Sequence, residues 1–139
     1  MTDFHYETDF KLEDENKYLA WVYKICSSEE YTLGDLNYIF CDDSYLLNIN
    51  QTYLRHDDYT DIITFDYTVG KVLSGDIYIS IERVSENSVS YSVSLQNELL
   101  RVMAHGLLHL MAYKDKEIGH IAEMRAKEDE KIKMFHVEH

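Results

Sequence analysis

The sequence predicts an α/β fold: one domain spanning 1–139, a small mixed β-sheet packed with helices, and a His-x-x-x-His helix in the core. Three observations predict it. Short runs rich in β-branched and aromatic residues, among them Asp61–Tyr67 and Asp76–Ser80, read as strands. Longer stretches with apolar residues three and four apart read as amphipathic helices. The two kinds alternate along the first half and give way to helices from Ile81 onward, a pattern that packs helices against a sheet.

The elements follow in order. Phe4–Phe10 alternates and is aromatic, which suits a strand. Leu12 to about Ser27 carries Leu12, Tyr18, Leu19, Trp21, Val22 and Ile25 on a helical stripe, with acids early as the helix dipole prefers. Tyr31–Cys41 reads as a strand. Asp43–Leu54 reads as a helix through Leu46, Leu47, Ile49 and Tyr53, with Asp42 or Asp43 as its cap. Strands at Asp61–Tyr67 and Asp76–Ser80 flank a turn at Val69-Gly70-Lys71. A short helix is predicted near 82–90, a long one from about Leu95 to Tyr113, and a last one from about Gly119 to Phe135.

With 139 residues and 45% hydrophobic content, the chain suits one domain with a substantial core. It has no proline, no Gly/Ser linker and no repeat. No run approaches the roughly 18 apolar residues that span a bilayer, and Met1-Thr2-Asp3-Phe4-His5 is unlike a signal peptide. Cys26 and Cys41 lack CxxC spacing and read as small apolar core residues. The expectation is a reduced, cytoplasmic protein without a membrane partner.

The most informative stretch is His105-Gly106-Leu107-Leu108-His109, followed by Asp115. Histidines four residues apart lie roughly 40° from superposition on a helix, so both imidazoles leave one face a turn apart. Asp115 falls where a chain leaving the helix returns a carboxylate to the same point. Three N/O ligands with an open fourth position describe a catalytic zinc site. The flanks, Leu99, Leu100, Met103, Leu107, Leu108, Leu110 and Met111, make the helix apolar on most of its circumference. Buried histidines need partners, so the other reading is a pair of core histidines bonded to carbonyls or acids. Gly106 stands where the HExxH peptidase signature places its glutamate base, which argues against that type of peptidase. Glycine inside a helix costs up to about 1 kcal/mol, and implies that a strand or a substrate approaches closely there.

His105-Gly106-Leu107-Leu108-His109-Leu110, with Tyr113, resembles the signature of the YbeY family, bacterial rRNA maturation factors regarded as metal-dependent endoribonucleases. Asn50, Tyr53, Asp57 and the run Thr60-Asp61-Ile62-Ile63-Thr64-Phe65 resemble a second family segment, Gly75-Asp76-Ile77 a third, and Met124-Arg125 with Glu128 the last helix. The resemblance covers roughly residues 45 to 130 in order. It implies a zinc-dependent, single-strand-specific endoribonuclease acting in rRNA 3′-end processing, ribosome maturation and quality control. It also implies one Zn²⁺ per chain and rRNA as partner, met on ribosomal subunits or ribosomal proteins.

The chain departs from the family pattern in three places. The family's Asp-His pair is Lys114-Asp115 here, so Asp115 takes the third ligand place, with His120 as rival. Ala112 replaces the glycine before Tyr113, so the helix exit is expected not to need a glycine-only conformation. Leu54 occupies a usual arginine place, which leaves Arg55 and His56 as the substrate-binding candidates. No general acid or base is named by the sequence.

Charge sets a constraint. Asp and Glu number 26 against 13 Lys and Arg, a net charge of -13, and such a field repels a free polyanion. RNA binding then needs a local positive cleft, for which Arg55, His56, Lys71 and Arg83 are the expected bases, and it should be weak and salt-sensitive. Two other functions fit the residues: a metallohydrolase acting on a peptide or small molecule, and a non-catalytic ribosome-assembly factor with structural zinc. The 12 tyrosines read as half-buried packing residues rather than a stacking platform.

Overall fold

The computed structural model describes residues 1–54 and 60–137. The elements in chain order are β1 (Thr2–Tyr6), α1 (Glu15–Ser28), β2 (Thr32–Cys41), α2 (Asp43–Tyr53), β3 (Ile62–Asp66), β4 (Val72–Ser80), α3 (Ile81–Ser90), α4 (Leu95–Leu110) and α5 (Ile118–His136). The sheet order is β1-β2-β4-β3. β1, β2 and β4 are parallel, and β3 closes one edge antiparallel to β4, so the sheet is mixed.

Alternation along the strands divides the apolar residues between two faces. One face presents Leu36, Tyr38, Phe40, Leu73, Ile77 and Ile79 to a core built with α1, α4 and α5 through Trp21, Ile25, Leu100, Met103, Leu107 and Phe135. The other presents Ile63, Phe65 and Tyr78 to α2 through Leu46 and Ile49. Cys26 and Cys41 are buried free thiols, as expected, and burial pushes them up to about 11 and about 12. Among the described residues no helix is long and apolar enough to cross a membrane.

Several boundaries differ from the sequence reading. β1 ends at Tyr6, not Phe10, because Phe10 tilts onto the Phe40 ring from a loop and Leu12 is buried from that same loop. α1 begins at Glu15 because the Asp14 side chain caps it by accepting from the Lys17 amide. β4 begins at Val72, earlier than Asp76, because Val69 and Val72 exchange both backbone hydrogen bonds across the turn. Asp42 caps α2 by accepting from the Tyr45 amide at 2.8 Å.

The exit of α4 decides where the site forms. The helix stops at Leu110, not Tyr113. The Ala112 amide donates to His109 O and the Tyr113 amide to Leu108 O, each at 3.0 Å, which is a Schellman motif. Ala112 adopts φ +70°, so this exit does use the left-handed conformation that favours glycine, with alanine carrying it. The expectation that the replacement of glycine freed the exit from that conformation is corrected. Sharp reversal at Ala112 turns the following chain back along α4.

A candidate metal centre at the end of a core helix

α4 is held down at two points. The buried Tyr38 hydroxyl donates to Met103 O at 3.1 Å. At Gly106 an added Cβ would lie 2.9 Å from Ile62 Cδ1 and 3.0 Å from Ile77 Cγ2. The close approach that the glycine permits is therefore by the sheet. Position 106 faces β3 and β4, which explains why a glutamate base has no place there.

With that face against the sheet, His105 and His109 turn toward a cleft. His105 Nε2 and His109 Nε2 lie 2.9 Å apart, and Asp115 Oδ2 lies 3.2 Å from each. All three side chains are half-buried, and these residues form the group that could hold a metal among those described. Zinc bonds of 2.0–2.1 Å at tetrahedral angles separate donor atoms by about 3.3 Å, so the triangle fits one ion. His120 stands apart, with its Nδ1 3.8 Å from Glu117, outside this group.

The tautomer of His105 is fixed from behind. Its Nδ1–H donates to Glu128 Oε2 at 2.6 Å, which leaves the Nε2 lone pair aimed at the other two ligand atoms. Glu128 itself is 4% exposed and accepts from Arg101 Nη1 at 2.9 Å, while Arg101 Nη2 donates to Asp129 at 2.7 Å. Burial pushes the His105 imidazolium down, but Glu128, helped by Asp115 and Asp61, outweighs it and carries the group above the usual histidine value. A cation at the triangle would meet two imidazoles oriented on one side and an anionic oxygen on the other.

Next to His105 lies a cleft of about 290 Å³ lined by Asp61, Glu98, Asp115 and Glu128 against Arg101 and Arg125, with Asn87 and Tyr91 at its rim. Burial raises Asp61 and Glu98 above the ordinary carboxylate range, helped at Asp61 by the charge of Glu128 and at Glu98 by the charges of Asp61 and Glu128. Among the described residues this lining is more acidic than basic. Lys71 sits 4.3 Å over the Tyr31 ring, Arg83 is paired with Asp43 and Glu86, and neither lines the cleft. Arg55 and His56 lie outside the described residues.

Sequence reasoning brought together His105, His109 and Asp115 but gave no role to Glu128, Arg101 or Glu98. A signal for two of them existed. Glu98, Arg101, His105 and His109 fall at offsets of three, seven and eleven on α4, one polar stripe on an otherwise apolar helix. Glu128 arrives from α5 through space; its sequence signal was its place in the Met124-Arg125…Glu128 pattern, which assigned it no role.

Comparison with known proteins agrees with this geometry. A family model described as Endoribonuclease YbeY matches residues 3–136. A protein of Flavobacterium johnsoniae named Endoribonuclease YbeY is 54% identical over 138 residues, covering 99% of this chain and 99% of that one. Its namesake from Flavobacterium psychrophilum is 54% identical over 137 residues, covering 99% and 98%. The solution structure of a Thermotoga maritima protein superposes with a TM-score of 0.67 at 25% identity, covering 97% of this chain and 89% of that one. A fold, a ligand triangle and a match along nearly the whole length point the same way: this chain belongs to the YbeY family.

Proposed function

We propose that the chain is a zinc-dependent endoribonuclease specific for single-stranded RNA, acting in rRNA 3′-end processing within ribosome maturation and quality control. It does so as one cytoplasmic metallohydrolase domain over residues 1–139. The observation that carries the reading is the convergence of His105 Nε2, His109 Nε2 and Asp115 Oδ2 beside an open cleft, in a chain whose relatives are named endoribonucleases. In this reading those three residues would hold one Zn²⁺ beside the cleft.

A zinc ion held there would supply Lewis acidity toward a phosphoryl oxygen and toward water. Glu128 holds the His105 ring so that Nε2 stays unprotonated toward the ion, and Arg101 holds Glu128. Asp115 offsets part of the ion's charge. Arg55 and His56 are the proposed substrate contacts. An acidic surface makes free RNA a poor ligand, which supports a substrate presented by ribosomal proteins or subunits. Structural zinc is less well supported, because a closed site takes four protein ligands and the group among the described residues has three, with His120 elsewhere.

The test is direct. The His105→Ala, His109→Ala and Asp115→Ala variants should each lose zinc by elemental analysis and lose cleavage of single-stranded RNA, while remaining folded. The parent should cleave RNA and leave a peptide control intact, more slowly as salt rises. Stoichiometric zinc in the combined variant, or RNA cleavage that survives chelation, overturns the reading.

A further inference from the structure

We propose that the cleft beside His105 is a nucleobase subsite that selects guanine, with Glu98 as the residue that reads the base; the inference rests on the endoribonuclease reading above. Glu98 is 4% exposed yet lines the cleft, and among the described residues no hydrogen bond or ion pair reaches its carboxylate. Arg101, one turn away, is committed to Glu128 and Asp129. Its carboxylate oxygens open onto the cleft with no protein donor among the described residues, which leaves them available to accept from a ligand.

Position and chemistry narrow the ligand. Glu98 lies seven residues before His105 on one helix face, about 10.5 Å along the axis at 1.5 Å per residue. A nucleotide whose phosphate meets the metal ligands can therefore lay its base toward Glu98. Two carboxylate oxygens match two adjacent donors. Guanine offers them as N1–H and N2–H on its Watson–Crick edge. Adenine and cytosine present one amino group beside an acceptor, and uracil one N–H between two carbonyls that a carboxylate repels. Tyr91, 62% exposed at the rim, supplies a ring on which an unstacked base can lie. Asp61 shares the cleft and strengthens its preference for donors over acceptors.

Calorimetric titration of the full chain with the four nucleoside 5′-monophosphates tests the site without relying on cleavage. Guanosine monophosphate should bind about tenfold or more tightly than the other three. Glu98→Gln should abolish that preference with zinc content unchanged, and Asp61→Asn should weaken it. In parallel, cleavage of single-stranded oligoribonucleotides should map beside guanosine in the parent and spread to other positions in Glu98→Gln. Equal binding of the four nucleotides overturns the proposal, as does a preference that survives Glu98→Gln. It is equally overturned if Mn²⁺ binds in a Glu98-dependent way while no nucleotide is preferred. Guanine-selective binding with no cleavage of any RNA would support the subsite and sink the endoribonuclease reading. Cleavage without base preference would do the reverse.

Discussion

Ala112→Gly should stabilise the protein, and the size of the gain follows from the backbone. Ala112 sits at φ +70°, where Cβ crowds the following carbonyl at a cost of about 1–2 kcal/mol. Removing the Cβ relieves that strain but frees the unfolded chain by about 0.4–1 kcal/mol. Ala112 is exposed, so little packing is lost. The net expectation is a gain of about 0.5–1 kcal/mol, or about 2–3 °C in Tm for 139 residues. The same motif ends α1 at Glu30, φ +62°, and α3 at Ser92, φ +56°, with the amides of Tyr31 and Val93 returning to Cys26 O and Ser88 O. Glycine at all three places should add, reaching about 6–9 °C. Urea unfolding followed by circular dichroism measures it, with an unchanged m-value as the check that only stability moved. Ala112→Val should destabilise. A lower midpoint for Ala112→Gly would refute the strain argument and, with it, this account of how the chain returns Asp115 to the histidines.

Other consequences are open to measurement. Glu128→Gln should keep the fold and weaken zinc binding about 10–100-fold in a chelator competition, because the charge that orients His105 is lost; unchanged affinity would mean that Glu128 is a bystander. Burial alone would raise Glu29, but hydrogen bonds from Lys131, Tyr113 and Lys127 outweigh it and hold the carboxyl at about 2. A folded value below the unfolded one gives stability that is complete above about pH 4.5 and fades as pH falls toward 2. It is worth up to about 3 kcal/mol. Glu29→Gln should therefore be much less stable than the parent at pH 7 and nearly equal to it near pH 2; a pH-independent gap would contradict the ion-pair account. Gly106→Val forces methyl groups onto Ile62 and Ile77 and should lower stability by about 2–3 kcal/mol by the same unfolding assay, whereas a neutral result would show that α4 is not pinned to the sheet there.

What the sequence revealed and what it hid divide along a physical line. Periodicity reports contacts within one element, so the α4 helix, its apolar flanks and the His105–His109 pair were legible, and the six-residue spacing from His109 pointed to Asp115. Periodicity does not report where an apolar residue packs from. Phe10 and Leu12 therefore read as strand and helix although both reach the core from a loop. Nor does it report pairings across long separations. His105 depends on Glu128, 23 residues on, and the buried Lys131 depends on Glu29, 102 residues away. Those two links share a purpose that composition conceals. Tyr113, just past the reversal at Ala112, donates to Glu29 at 2.6 Å, and Lys131 holds Glu29 from the far side at 2.8 Å. The segment that delivers Asp115 is thus tied to α1 and α5 by a buried charge pair, while α5 also supplies Glu128 to His105. The last helix, polar and weakly patterned in sequence, is the element that holds both ends of the ligand triangle in place.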